Sequence, residues 1–159
     1  MTAGYLSTIG LIERLHRQCL EVIKVELDRG GIRDLSNVQA MILFNIGDDE
    51  LTVGELTQRG YYLGSNVSYN VKKMVENGYL IQERSQHDRR SIHVRLSEKG
   101  RALRDKLSAM HERHVEMLGQ TPITEPDLQA SSVVLKRLER FWTRAADLAQ
   151  HPSALSPAA

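Results

Sequence analysis

The residues best suited to contact another molecule lie on one side of a helix predicted in the middle of the chain. Polar and cationic side chains occupy that side: Ser65, Asn66, Ser68, Tyr69, Asn70, Lys72 and Lys73. Hydroxyl and amide groups can exchange hydrogen bonds with base edges in nucleic acid, and lysines can contact phosphates. An ordinary solvated helix face has a similar composition, so the surrounding segments decide between the two interpretations.

Local signals place this helix in a helix-turn-helix. A capping-box pattern from Thr52 to Glu55 predicts the start of a first helix, and Gly60 follows where that helix should end. Cap-type residues at 64–66 and a glycine at position 78 then bound the second helix. Apolar residues recur at helical spacing opposite its polar side and predict the core face: Val67, Val71, Met74 and Val75.

A two-stranded hairpin is predicted directly after the second helix. Residues 92–96 alternate between apolar and polar side chains, which is typical of a half-buried strand, and residues 80–84 are a suitable partner. A helix-turn-helix followed by a narrow, arginine-tipped ribbon suits duplex DNA. The helix fits the major groove, and the ribbon reaches the adjacent backbone or minor groove.

Positive charge is concentrated in this region. Residues 59–95 hold seven basic and three acidic residues, whereas the rest of the chain holds 14 basic and 17 acidic ones. We expect Arg84 to contact phosphates and Arg89 or Arg90 at the hairpin tip to enter a minor groove. Asp88 is close enough in the sequence to orient a neighbouring arginine. The alternative is a solvated loop with incidental charges.

Amphipathic helices are predicted on both sides of this region. Apolar residues repeat at three- and four-residue steps before Gly30 and again after Ser97. These stripes exceed what a small winged helix covers, and an isolated amphipathic helix is marginal in water. We therefore expect two copies to share a core, with packing inside one chain as the alternative. The expected interface residues are Ile9, Ile12, Leu135, Leu138, Phe141 and Trp142.

Segments across the middle of the chain resemble the winged helix of the multiple-antibiotic-resistance regulators, the MarR family. The segments are residues 55–59, the helix with Val67 and Val71, and residues 75–81, 88–90 and 94–100. The run from Asp88-Arg89-Arg90 to Leu96-Ser97-Glu98-Lys99-Gly100 is the most specific part. The resemblance implies a transcriptional regulator that binds palindromic DNA as an obligate homodimer, which we interpret as a ligand-responsive repressor.

A small, often aromatic effector is also implied by the resemblance. It would lie between the dimerisation helices and the winged helix. The candidate pocket residues are His16, Cys19, Met41 and Phe44.

The expected fold is mainly α with a small β-hairpin. The winged helix-turn-helix occupies residues 35–100, and amphipathic N- and C-terminal dimerisation helices flank it at residues 1–30 and 101–150. The remaining residues, 151–159, are rich in Pro, Ser and Ala, and we expect a disordered tail there.

Single features of the sequence are compatible with three other functions. Cys19 would allow a regulator of the same fold to sense thiol oxidation, although its place on an apolar stripe favours a buried, inert thiol. His111 and His114 have a spacing that could share a metal ion, but no third ligand is evident. A winged-helix adaptor that does not bind DNA is the last alternative.

Composition sets wider bounds on the class of protein. We find no phosphate-binding loop, nucleophile elbow or placed acid pair, so we expect neither an enzyme nor a cofactor. No apolar run is long enough to span a bilayer, and the first residues do not resemble a secretory signal. The single cysteine excludes a disulfide framework within the chain. We therefore expect a cytoplasmic protein with no membrane partner.

Overall fold

Helices and strands begin and end close to the predicted residues. The computed structural model describes residues 1–58, 64–84 and 92–150, and the side chains of 64, 65 and 150 are outside that description. The described elements are α1 (Thr2–Arg29), α2 (Asn37–Ile46), β1 (Leu51–Thr52), α3 (Val53–Gln58), α4 (Gly64–Glu76), β2 (Leu80–Arg84), β3 (Ile92–Leu96), α5 (Glu98–Leu118) and α6 (Glu125–Gln150). The chain divides into two compact units, Met1–Glu112 and Arg113–Ala159.

Side-chain caps fix the first turns of α2 and α3. The Ser36 hydroxyl accepts from the backbone N–H of Gln39 at 3.2 Å, and the Gln39 side chain accepts from the Ser36 N–H at 3.0 Å. Thr52 and Glu55 make the same reciprocal pair, at 3.0 and 2.6 Å. Each box satisfies N–H groups that a helix start leaves without partners. The capping box predicted at Thr52 and Glu55 is confirmed, and Ser36 and Gln39 form a second one.

The core of the first unit is built around α2. This helix is mostly apolar, and half of its ten residues are buried. The largest fully buried side chains come from α2 to α5: Ile42, Leu43, Ile46, Leu56, Val67, Met74, Val94 and Leu107. On α4, the predicted core residues Val67, Val71 and Met74 are buried, and Val75 is half-buried against the same core.

The three strands form one antiparallel sheet in the order β1-β3-β2. The predicted hairpin strands are confirmed, with Leu80 opposite Leu96 and Arg84 opposite Ile92. The sequence did not indicate β1, a two-residue strand in which Leu51 pairs with Val94. The third strand ties the start of α3 to His93 and Val94 of β3.

A tight turn carries the chain from α4 into β2. Gly78 has φ +77°, a conformation that favours glycine. Its N–H donates to the Val75 carbonyl at 3.0 Å, and the N–H of Tyr79 donates to the Met74 carbonyl at 2.9 Å, a Schellman arrangement. Gly100 in α5 packs on this turn, because a Cβ there would overlap the Tyr79 carbonyl oxygen. The end of α4, β2 and α5 are therefore closely joined.

The second unit has a different character. Of its described residues 113–149, none is buried. In α6 the exposed large apolar residues are Leu128, Val133, Val134, Leu135, Phe141 and Leu148. No helix in the described ranges is long and apolar enough to cross a membrane.

Candidate nucleic-acid interface

The outward side of α4 is polar and open to solvent. Tyr69 lies opposite the buried stripe and its exposed fraction is 61%. Asn66, Ser68 and Lys72 are also exposed on this helix, whereas the side chain of Ser65 lies outside the described part. A helix whose inner side is locked in the core and whose outer side carries hydrogen-bonding groups is suited to the major groove.

Asn70 differs from its neighbours on α4, because its amide is engaged within the protein. The residue is half-buried, its Oδ1 accepts from Nε2 of Gln39 at 3.2 Å, and its Nδ2 donates to the Asn66 carbonyl at 2.8 Å. Gln39 is itself buried and belongs to the capping box of α2. The lateral side of α4 is thus bonded to the first turn of α2, so Asn70 has an anchoring position rather than the predicted outward one.

Both predicted phosphate-binding lysines of α4 have an acidic neighbour. Glu76 lies 2.8 Å from Nζ of Lys73 and 4.0 Å from Nζ of Lys72. The hydrogen bond between Lys73 and Glu76 raises the pKa of the lysine and lowers the pKa of the carboxyl. Of the two lysines, Lys72 is the more exposed and Lys73 lies closer to Glu76.

On the hairpin, the described residues supply one exposed predicted contact. Arg84 is exposed at the end of β2. Arg95 on β3 is bound to Glu83 at 2.7 Å, across the pair of strands. Asp88, Arg89 and Arg90, which are predicted to form the hairpin tip, lie outside the described residues.

A cavity of about 210 Å³ lies within the first unit. It is lined by Cys19 and Ile23 from α1, Met41, Phe44 and Asn45 from α2, and Leu107 and His111 from α5. The structure therefore brings three of the four candidate pocket residues together. His16 is exposed on α1 and does not line the cavity.

Two features of this cavity differ from the expectations. Cys19 is exposed in the single chain, whereas its place on an apolar stripe favoured a buried thiol. The rings of Phe44 and His111 lie 4.8 Å apart, and the sequence pattern did not single out this histidine as a pocket residue. Its position one helical turn after Leu107, on the buried side of α5, is the signal that would have found it.

The six predicted interface residues fall into two groups by exposure. Leu135 and Phe141 on α6 are exposed. The other four are half-buried, namely Ile9 and Ile12 on α1 and Leu138 and Trp142 on α6. Among the described residues, no three metal-ligating side chains come together, so His111 and His114 have no third ligand there.

Comparison with known proteins adds an independent observation. A family model described as MarR family matches residues 33–91, which include α2, α3, α4 and β2. The exopolysaccharide II synthesis transcriptional activator ExpG of Rhizobium meliloti is 37% identical over 142 residues, which are 89% of this chain and 73% of the relative. The chain belongs to the MarR family.

Solved structures of MarR-family regulators have the same fold. Streptococcus pneumoniae FabT, solved in complex with DNA, superposes with a TM-score of 0.70 at 20% identity, covering 89% of this chain and 99% of the other. Staphylococcus aureus MarR, solved with salicylate and kanamycin, gives a TM-score of 0.68 at 17% identity, covering 88% and 93%. The predicted winged-helix fold is confirmed.

Membership of the MarR family determines the class of function. The protein is a DNA-binding transcriptional regulator and not an enzyme. This result removes the adaptor without DNA binding that the sequence left open.

Proposed function

We propose that two copies of the chain bind one palindromic duplex, with α4 of each copy in a major groove. The observation that carries this proposal is the exposed polar side of α4 opposite its buried stripe. Base edges would be contacted by Ser65, Asn66, Ser68 and Tyr69, phosphates by Lys72, Lys73 and Arg84, and a minor groove by Arg89 or Arg90, with Asp88 orienting the arginines. Asn70 would anchor α4 through Gln39.

Dimerisation is supported by the exposed apolar side chains of α6. A unit in which no described residue is buried has no core of its own, so its helices need a partner surface. A second copy supplies one, and a two-fold axis makes the same patch serve both chains. Two α4 helices held about 34 Å apart would then meet successive major grooves on one side of the duplex.

Selection of bound fragments from a random duplex pool tests this proposal. We expect the protein to enrich a palindrome with half-sites one helical turn apart. The same duplex tests the predicted hairpin tip, which includes Asp88, Arg89 and Arg90. If Arg89 makes a specific contact, Arg89→Ala should weaken binding by about 1–3 kcal/mol. An enriched site with no two-fold symmetry contradicts the proposed dimer.

Regulation would act on occupancy of that site. The 37% identical relative is an activator by name, while our sequence-based interpretation is a repressor. Activation and repression can both follow from the same DNA binding, because a bound protein blocks or assists transcription according to where its site lies relative to the promoter. We therefore propose that the position of the site sets the sign, and a reporter with the selected site moved upstream or downstream of the promoter tests it.

A small aromatic ligand in the 210 Å³ cavity would control the affinity for DNA. The cavity touches α1, α2 and α5, and α2 is bonded to α4 through Gln39 and Asn70. A ligand shifts an equilibrium only if it binds two states unequally, so an occupant that moves α2 would change the position of α4. Salicylate, which is bound in the S. aureus structure, is a suitable first probe.

Titration of salicylate into the protein–DNA complex should release DNA. Replacing Cys19 by Phe would fill part of the cavity and should abolish the response while retaining DNA binding. A response of the Cys19→Phe protein equal to that of the native protein would place the ligand elsewhere.

Oxidation of Cys19 is the second candidate input, favoured by the exposure of this residue. An accessible thiolate can be oxidised to a sulfenic acid. Labelling the native protein with a thiol reagent tests access, and peroxide should release DNA from the native protein but not from Cys19→Ser. A native protein whose DNA binding survives peroxide removes this candidate.

A further inference from the structure

The short segment between α1 and α2 contains an aspartate with an unusual number of partners. Oδ1 of Asp34 accepts from the Tyr79 hydroxyl at 2.7 Å, and Oδ2 accepts from Nζ of Lys99 at 2.8 Å. The backbone carbonyl of the same residue accepts from Nδ2 of Asn77 at 2.5 Å. All of these partners are distant in the sequence, so Asp34 joins the segment after α1 to another part of the first unit.

The three partners form a closed set around Asp34. Nζ of Lys99 also donates to the Asn77 carbonyl at 2.9 Å and lies 4.0 Å from the centre of the Tyr79 ring. Tyr79 is buried, and its carbonyl accepts from the N–H and the hydroxyl of Ser97, each at 3.0 Å. Charged hydrogen bonds that share donors and acceptors support one another more than a single exposed ion pair does.

Each partner stands at a junction of the winged helix. Asn77 directly follows the last residue of α4, Tyr79 directly precedes β2, and Lys99 lies in the first turn of α5. Asp34 therefore holds the end of α4 and the root of the hairpin at one point. The two elements proposed to touch DNA diverge from that point, one toward the major groove and the other toward the minor groove.

We propose that Asp34 is a positioning residue for DNA recognition, which fixes the angle between α4 and the hairpin through Tyr79, Lys99 and Asn77. Sequence-specific binding requires both elements to meet their grooves at the same time, so a small change in this angle costs specific contacts. Non-specific binding depends on phosphate attraction and tolerates such a change. This inference rests on the DNA-binding function.

Asp34→Asn removes the charge that holds Lys99 and keeps the size of the side chain. Asp48 offers a matched control. It follows α2 and is paired with Arg104, which lies in α5 as Lys99 does. Asp48→Asn removes the same charge and a comparable ion pair, but neither Asp48 nor Arg104 adjoins the end of α4 or the root of the hairpin. Loss of a negative charge should by itself strengthen attraction to DNA, so a weaker complex cannot arise from net charge.

The experiment compares both variants with the native protein by fluorescence anisotropy, on the duplex selected by the native chain and on a random duplex of equal length. We expect Asp34→Asn to bind the selected duplex about tenfold more weakly than Asp48→Asn does. The two variants should bind the random duplex equally. Equal affinities for the selected duplex overturn the inference. A parallel loss on both duplexes indicates a loss of folded protein, and Tyr79→Phe then decides the question.

Tyr79→Phe provides a second route if Asp34→Asn is poorly folded, because it deletes only the hydroxyl that donates to Asp34. It should lower the ratio of specific to non-specific affinity by about threefold. An unchanged ratio in Tyr79→Phe counts against the proposal. If the native chain selects no duplex, the DNA-binding function and the inference both fail. If the native chain binds a selected duplex and Asp34→Asn keeps the native ratio of specific to non-specific affinity, the inference alone fails.

Discussion

Two helices of this protein present exposed side chains of opposite chemistry. The outward side of α4 carries Tyr69, with an exposed fraction of 61%, among amides, hydroxyls and lysines. α6 exposes Phe141 at 57% together with aliphatic residues. The two aromatic side chains are almost equally exposed, so exposure alone does not distinguish a surface for nucleic acid from a surface for another protein chain.

The inner sides of these helices make the difference clear. α4 is held by Val67, Val71 and Met74 in the core of the first unit, so its conformation does not depend on what its outer side binds. α6 has no buried residue among those described, and its stability must come from contacts along its apolar side. The proposed interface for DNA therefore lies on a helix that is packed in a core, whereas the proposed interface between copies would cover the apolar side of a helix with no buried residue among those described.

The largest effect is expected from a charge placed in the apolar surface of α6. Phe141→Glu should convert the proposed dimer to monomers, because an unpaired carboxylate opposes apolar burial. A monomer holds only one half-site, so affinity for the selected palindrome should fall by about a hundredfold or more. Analytical ultracentrifugation and anisotropy measure the two results. Ser132→Glu, an equal charge change at an exposed position one turn before Lys136, is the control. A Phe141→Glu protein that remains dimeric refutes this role of α6.

A smaller effect is expected from the centre of the polar surface. Tyr69→Ala should lower affinity for the selected duplex by about 1–3 kcal/mol without changing the oligomeric state. Tyr69→Phe separates the hydroxyl from the ring, since only a hydrogen-bonded contact is lost in this variant. The fold should not change, because the side chain points away from the core. Equal loss on selected and random duplexes would show that Tyr69 does not read sequence.

A gain of affinity is expected from Glu76. This carboxylate is hydrogen-bonded to Lys73 and lies near Lys72, so it competes with phosphates for both cations. Glu76→Gln should tighten binding to every duplex and steepen its salt dependence by about one unit of slope, whereas Lys72→Gln should flatten it by the same amount. Titrations at several salt concentrations measure both slopes. Identical slopes in the two variants would exclude these lysines from the interface.

Local sequence signals predicted most of the fold because the interactions that bound the helices are themselves local. Ser36 and Gln39, or Thr52 and Glu55, are three residues apart and cap their helices without help from the rest of the chain. The hairpin strands were predicted from alternation, which reports burial on one face. By contrast, β1 has two residues and exists only through its pairing with β3, so no local pattern indicates it.

The candidate site was predicted less completely, because its supports join distant residues. Helical spacing placed Asn70 on the polar side of α4 but did not show that α2 lies beside it, 31 positions away at Gln39. Asp34 is 45 positions from Tyr79 and 65 from Lys99. Cys19 lies on an apolar stripe, yet it is exposed, because periodicity indicates which residues share a side but not whether one chain covers them.

The smallest expected effect concerns the first turn of α6. The N–H of Thr124 donates to Asp127 at 2.9 Å, and the Asp127 N–H donates to the Thr124 hydroxyl at 3.4 Å, so the two residues cap the start of this helix. Hydrogen bonds from the Thr124 hydroxyl and N–H lower the pKa of Asp127. A lowered carboxyl pKa means that the cap contributes fully above the ordinary value and is lost as pH falls through the lowered one.

The helix content of α6 should depend on this cap more than that of α4 depends on its first turn, because α6 has no buried stripe among its described residues. Asp127→Asn should therefore lower helix content slightly at neutral pH and remove part of the loss seen on acidification. Asp147→Asn is the matched control, since an aspartate in the last turn opposes the helix dipole and its removal should be neutral or slightly stabilising. Circular dichroism as a function of pH distinguishes them, and similar curves for both variants would mean that contacts along the helix, rather than its cap, hold α6 in shape.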